Sequence, residues 1–171
     1  MLLRTGGGLA PHHHELQHRL GLDGFVVERG IVSEKELVET YNGSDVVLHP
    51  SYWEGFGWPP LEAMSCGTPV VISTAPSLME VTAGCALAAE PDDHEGLADR
   101  VQEALLPDTA ADLRRRRLAR ADAMRWQPSI SGLREVYATV LSRATSPPHG
   151  QLRWRPLPAA APIRKATVPT P

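Results

Sequence analysis

Short apolar runs alternate with amphipathic stretches along the first 144 residues. The apolar runs predict strands near residues 2–5, 24–28, 45–49, 69–73 and 86–89. Helical spacing of apolar positions and helix-start signals predict helices over 11–20, from Ser33 to Tyr41, over 59–66, from about Ser77, across 97–105, over 109–124 and across 133–141. Strands alternating with helices are typical of a parallel sheet covered on both faces. The pattern therefore predicts an α/β fold with a doubly wound parallel sheet.

The pattern stops near residue 145. Residues 146–171 contain seven of the sixteen prolines and keep neither a helix period nor a strand period. We therefore predict one domain over residues 1–145 and a disordered, basic, proline-rich tail over 146–171. Trp154 is the exception in this segment and suggests an alternative, a small docking anchor.

Charge and length narrow the classes of function. The 171 residues carry a net charge of −3, but residues 1–122 hold 10 basic and 19 acidic residues. The acidic globular part argues against a nucleic-acid partner. No apolar run approaches the roughly 20 residues that span a membrane, and the start is too short for a signal peptide, so we expect no membrane span and a cytoplasmic location. The basic end has two interpretations, a solvated tail, which we favour, and a contact with anionic lipid or an acidic partner.

The most informative segment runs from Glu54 to Glu62, with the sequence Glu-Gly-Phe-Gly-Trp-Pro-Pro-Leu-Glu. Its two glycines leave the backbone bare between a strand and a helix, so a ligand can approach closely. Free amides at the start of that helix suit a diphosphate. Carboxylates repel phosphate, so Glu54 and Glu62 are better suited to accept hydrogen bonds from sugar and ribose hydroxyls. The segment therefore predicts a nucleotide sugar as the ligand.

This segment resembles retaining glycosyltransferases of the GT-B type, in the large family-four group (glycosyl transferases group 1). Their pattern, close to Pro-Ser-x-x-Glu-Gly-Phe-Gly-x-Pro-x-x-Glu-Ala-Met-x-x-Gly-x-Pro-Val-Val, is similar to residues 50–71 at nearly every position. Flanking blocks follow in the same order and extend the resemblance over residues 1–143: Gly30–Ser33 with Glu36, Leu37 and Tyr41, then Glu80, Val81, Gly84 and Pro91–Asp93, then Arg125 and Trp126 before a helix with Tyr137.

The resemblance implies that the chain is the carboxy-terminal, donor-binding half of a GT-B enzyme. It implies transfer of a hexose from a nucleotide diphosphate sugar with retention, and no metal or other cofactor. By the same resemblance Glu54 is catalytic, near the reacting carbon, and also contacts the donor sugar. The further donor-binding positions that it implies are Ile31, at the nucleobase, then Gly55, Phe56, Gly57 and Trp58, mainly through backbone amides, and Glu62, at the ribose.

Each candidate also has a structural interpretation. Glu54 could be a strand-end carboxylate that caps the next helix, and Glu62 a helix-surface carboxylate. The side chains of Phe56 and Trp58 could pack in the core or between domains. For Ile31, a contact with the nucleobase and a purely structural role carry equal weight. We interpret His12–His14 as a helix start rather than a metal site, and Arg114–Arg117 as a solvated helix face rather than a phosphate site.

Family members place a strand and a helix before the segment that opens this chain. That strand lies in the middle of the sheet, so we expect either two half-sheets or direct pairing of strands 2–5 and 45–49. A basic pair that clamps the donor pyrophosphate and the amino-terminal acceptor domain also precede this segment in the family. We therefore expect a separate chain or domain to supply the acceptor half. The alternatives are a non-catalytic nucleotide-sugar-binding module and a truncated remnant that needs a partner chain.

Overall fold

The structure is a computed structural model that describes residues 1–144, without the side chains of 108–112 and 144. The predicted tail over 146–171, with Trp154, lies outside the described residues. Within them the chain divides into two units, the first over Met1–Trp126 and the second beginning at Gln127. No helix in the described part is both long enough and apolar enough to cross a membrane.

Five strands form within the described residues, each within two residues of its predicted position. They are β1 (Leu2–Thr5), β2 (Val26–Gly30), β3 (Val47–His49), β4 (Val70–Ser73) and β5 (Leu87–Ala89). All the pairings are parallel, as the alternation of strands and helices predicts.

Seven helices follow the predicted order in the described residues. They are α1 (Pro11–Arg19), α2 (Glu34–Gly43), α3 (Trp58–Ser65), α4 (Pro76–Thr82), α5 (His94–Ala104), α6 (Pro107–Ala123) and α7 (Trp126–Ala144). The capping box predicted for α2 is present, because the Glu36 amide donates to Ser33 Oγ at 3.3 Å and the Ser33 amide donates to Glu36 Oε2 at 2.9 Å. The residues that signal a helix start in the sequence therefore form the corresponding capping hydrogen bonds at the start of α2.

The strands form two sheets rather than one. The first sheet is β1–β2, and the second has the order β3–β4–β5. No hydrogen-bonded ladder joins β1 to β3 among the described residues. Of the two outcomes expected, the structure has the two half-sheets.

The core lies around the second sheet. Every residue of β4 is buried, with Val71, Ile72 and Ser73 at 0% exposure. Met64 of α3 and Leu78 of α4 are also at 0% and belong with Ile72 to one apolar cluster. Because α3 packs on this sheet, the segment that begins it is held by the best-buried part of the molecule.

The arginine run on α6 corrects one prediction. Arg114–Arg117 are not a uniformly solvated face, because Arg117 is only 2% exposed. Its Nη2 donates to the carbonyl of Gly67 at 3.2 Å, just past the end of α3, and Arg116 donates to the carbonyl of Gly84 at 3.2 Å, past the end of α4. These bonds hold the chain just past the ends of two helices, where the negative end of each helix dipole favours a cation.

Candidate functional site

The loop between β3 and α3 holds the predicted glycine turn. Gly57 is the residue before the helix and has φ = 105°, in the left-handed region that favours glycine. A Cβ built on Gly57 would lie 2.8 Å from Leu78 Cδ2, which is inside the packed core. Conformation and packing therefore both require glycine at this position, and the loop enters α3 along one path.

Among the described residues, the start of α3 leaves backbone amides without a protein acceptor. Pro59 and Pro60 occupy the first turn and have no N–H, and Gly57 receives no side-chain cap. The amides of Gly55 through Trp58 donate to no protein group among the described residues. Unpaired amides at a helix start, together with the helix dipole, make a site for an anion such as a phosphate.

Glu54 is held by side chains from the preceding strand and loop. Its Oε1 lies 2.7 Å from His49 Nε2, where His49 is the last residue of β3. Hydrogen bonds from Ser51, and then from His49, lower the pKa of the Glu54 carboxyl below its ordinary value. Its backbone carbonyl accepts from Ser77 Oγ at 2.9 Å, which ties the loop to α4. Glu54 is therefore an ionised carboxylate fixed at both its side chain and its backbone.

These contacts bear on the structural interpretation of Glu54. A carboxylate that capped α3 would accept from the amides of its first turn. Instead α3 has no side-chain cap bond, and the Glu54 carboxylate accepts from Ser51 and His49. The capping interpretation of Glu54 is therefore wrong.

Glu62 lies in the second turn of α3. The hydroxyl of Tyr41, from α2, donates to Glu62 Oε2 at 3.0 Å. Burial, and then this hydrogen bond, raise the pKa of Tyr41 well above its ordinary value, so Tyr41 stays a neutral donor. Glu62 is half-buried and oriented by a neighbouring helix, which differs from a free surface glutamate.

The rings of Phe56, in the loop, and Trp58, the first residue of α3, contact each other at a tilt, and Trp58 stacks on Trp126. The rings of Phe56 and Trp58 lie 4.7 Å apart, and those of Trp58 and Trp126 lie 5.6 Å apart at 27°. Phe56 packs against the apolar core, and Trp58 is 44% exposed. Packing roles for these side chains are thus supported, while their backbone amides remain in the candidate site.

Ile31 lies apart from the glutamates in the topology. It follows Gly30 at the end of β2, in the first sheet, and is 94% exposed. Its predicted contact with a nucleobase stays a prediction, as do the roles of Glu54, Glu62 and the residues between them.

The sequence interpretation missed how the two glutamates are held. His49 was part of a strand and Tyr41 part of a helix face, and neither was assigned a contact with the motif. A polar residue at the last position of a parallel strand is a signal that could have drawn attention to His49, since ligands bind at that edge of the sheet.

A carboxylate beside free helix-start amides, at the carboxyl end of a parallel sheet, is typical of nucleotide-binding α/β proteins. The sequence model described as "Glycosyl transferases group 1" matches residues 14–122. The chain belongs to this glycosyltransferase family.

One relative is the O-antigen chain mannosyltransferase B of Escherichia coli, which is 35% identical over 114 residues. The match covers 66% of this chain and 30% of the relative. The chain spans about a third of the length of the curated relatives it matches.

Solved structures confirm the fold. A sucrose-phosphate synthase from Thermosynechococcus elongatus matches with a TM-score of 0.74 and 27% identity, over 84% of this chain and 39% of the synthase. Anabaena HepE in complex with UDP-glucose matches with a TM-score of 0.67 and 24% identity, over 82% of this chain and 40% of HepE, and shows the fold alone. The expected relation to GT-B glycosyltransferases is therefore confirmed.

Proposed function

We propose that this chain is the donor-binding half of a retaining glycosyltransferase that transfers a hexose from a nucleotide diphosphate sugar. Glu54 contacts the donor sugar near the reacting carbon, Glu62 accepts from the ribose hydroxyls, and the amides from Gly55 to Trp58 bind the diphosphate. Ile31 contacts the nucleobase through its backbone. No metal or other cofactor is part of the proposal.

The observation that carries the proposal is the state of Glu54. Its carboxylate is ionised, fixed by hydrogen bonds from Ser51 and His49, and not used to cap α3. An ionised carboxylate repels phosphate and accepts strongly from hydroxyls. Its place directly before unpaired amides therefore suits a ligand in which a polyol adjoins a diphosphate.

The acceptor half is supplied from outside the described residues. Transfer needs an acceptor hydroxyl held close to the anomeric carbon while the phosphate leaves. The chain spans about a third of its relatives' length, and we propose that a further domain or a separate chain holds the acceptor. If the chain is the donor-binding half of an enzyme, a partner that holds the acceptor restores transfer. If the chain is a non-catalytic binding module, it stays inactive with any such partner.

The test uses two donors and their nucleotides. UDP-glucose and GDP-mannose are titrated calorimetrically into the chain, beside UDP and GDP. Each lost hydrogen bond to a carboxylate costs roughly 1.5–3 kcal/mol, so we expect Glu62→Gln to weaken nucleotide and nucleotide sugar alike by about tenfold or more. Glu54→Gln should weaken only the nucleotide sugar, because the nucleotide lacks the hexose.

Glu39→Gln is the matched control, since Glu39 is an exposed carboxylate on α2, 3.8 Å from Lys35. It should leave all four affinities unchanged. Equal loss of affinity in all three variants, or no saturable binding of either nucleotide sugar, would contradict the proposed function.

A further inference from the structure

The sequence patterns assign no functional role to His49, yet its imidazole contacts the Glu54 carboxylate. It ends β3, and its Nε2 is 2.7 Å from Glu54 Oε1 and 3.2 Å from Ser51 Oγ. Its side chain is 19% exposed, and that of Glu54 is 27% exposed. The pair is therefore largely shielded from solvent, and it lies beside the carboxyl end of β3.

The geometry fixes which atom carries the proton. A carboxylate is an acceptor only, so a 2.7 Å contact to Oε1 requires a proton on Nε2. His49 then donates along this contact whether the ring is neutral or charged. This donor occupies Oε1, and Ser51 also donates to the carboxylate, so two neighbouring side chains set its orientation.

The backbone around the pair is held as well. Ser73 Oγ, from the fully buried β4, donates to the carbonyl of Ser51 at 2.5 Å, and Ser77 Oγ donates to the carbonyl of Glu54 at 2.9 Å. The loop is thus fixed to β4 and α4 independently of His49. Removing the imidazole should therefore leave the carboxylate held by Ser51 alone, with the loop still in place.

We propose that His49 is a positioning residue that, together with Ser51, orients the Glu54 carboxylate toward a hydroxyl of the donor sugar. This inference rests on the proposed function of Glu54. His49 touches no substrate in this arrangement and acts only through Glu54. Its effect should therefore appear in recognition of the sugar and be absent for the nucleotide alone.

The chain offers a matched control in a second histidine–carboxylate pair. His18 Nδ1 lies 2.5 Å from Asp23 Oδ2, but this pair is exposed and sits at the end of α1 and the turn after it. His18→Ala removes the same kind of contact without reaching Glu54. It should change neither the affinity for a nucleotide sugar nor that for a nucleotide.

The experiment compares His49→Ala and His49→Gln with the unaltered chain and His18→Ala, by NMR titration with UDP-glucose, GDP-mannose, UDP and GDP. We expect His49→Ala to weaken nucleotide-sugar binding by about tenfold, equal to about 1.4 kcal/mol, with nucleotide binding unchanged. His49→Gln should recover most of the loss, because its side-chain amide can donate from nearly the position of Nε2. When His49→Ala is combined with Glu54→Gln, it should add little further loss, because His49 acts only through Glu54.

Long-range 1H–15N spectra of the free chain test the contact without any ligand. They should show His49 protonated at Nε2, with a shift that changes in Glu54→Gln. An unprotonated Nε2 would overturn the inference. So would sugar-specific loss in Glu54→Gln that His49→Ala does not share, and in that case the proposed function would stand. If neither nucleotide sugar binds while Nε2 is protonated, the proposed function is wrong. The inference that His49 positions Glu54 for the sugar is then wrong as well.

Discussion

The two sheets of the molecule are built from the same alternation of strands and helices but differ in burial. In the second sheet every residue of β4 is buried, whereas none of residues 1–40, which include β1, β2 and α1, is buried. Strand pairing differs, because within the described residues β4 has a partner on both sides whereas β1 and β2 are each paired on one side only. The covering of the side chains differs as well, and it carries most of the favourable free energy of folding.

This difference divides the candidate site. Glu54 and Glu62 flank the start of α3, whose apolar face lies in the buried core. Ile31 follows a strand of the open sheet and is 94% exposed. The contacts proposed for the sugar, diphosphate and ribose therefore lie on a rigid support, and the contact proposed for the nucleobase lies on the less supported sheet.

The largest expected effect comes from truncating a side chain in each sheet. Ile72→Ala, in β4, should lower the free energy of unfolding by about 2–5 kcal/mol, because it removes buried methyl groups and leaves a cavity. Leu2→Ala, in β1, should change it by less than about 1 kcal/mol, because Leu2 is 53% exposed. Urea denaturation of both variants measures the contrast, and equal losses would refute it.

The arginine run provides a smaller contrast within one helix. Arg117→Met should cost about 1–3 kcal/mol, because it removes a donor to the buried carbonyl of Gly67. Arg115→Met, on the exposed side of the same run, should cost less than about 0.5 kcal/mol. The same denaturation assay applies, and a larger loss for Arg115→Met would mean that the register of α6 is wrong.

The smallest expected effect is a pH dependence. The pKa of Glu54 in the folded chain lies below its ordinary value of 4.5, so the ionised carboxylate stabilises the fold. This contribution is fully present above about pH 4.5 and is lost as the pH falls through the lower pKa of the folded state. The stability difference between the unaltered chain and Glu54→Gln should therefore shrink as the pH falls below about 4.5. A difference that grows over this lower range would contradict the direction of the shift.

Features encoded locally were predictable from the sequence. The capping box at Ser33 depends on residues three apart, and α3 ends within one residue of its predicted end at 66, before Gly67 with φ = 77°. The glycine turn placed Glu54 in a loop and Glu62 in the first two turns of a helix, and the structure has both. Each of these follows from chemistry within a few residues of chain.

Features that need two distant segments were not predictable. The burial of Arg117 depends on α6 lying against the end of α3, fifty residues away in sequence. The hydrogen bond of Tyr41 to Glu62 depends on the packing of α2 beside α3. A helical arginine run looks solvated when only its own periodicity is considered, because periodicity does not report what the helix packs against.

The central claim is that the segment from Glu54 to Glu62 binds a nucleotide sugar, and amide chemical-shift mapping tests it most directly. The 15N-labelled chain is titrated with UDP-glucose and with GDP-mannose, and the shifts are assigned along the sequence. The account predicts that the largest saturable shifts occur at the amides from Glu54 to Trp58 and at Glu62, with none over α1. Saturable shifts confined to residues outside this segment, or none with either nucleotide sugar, would contradict it.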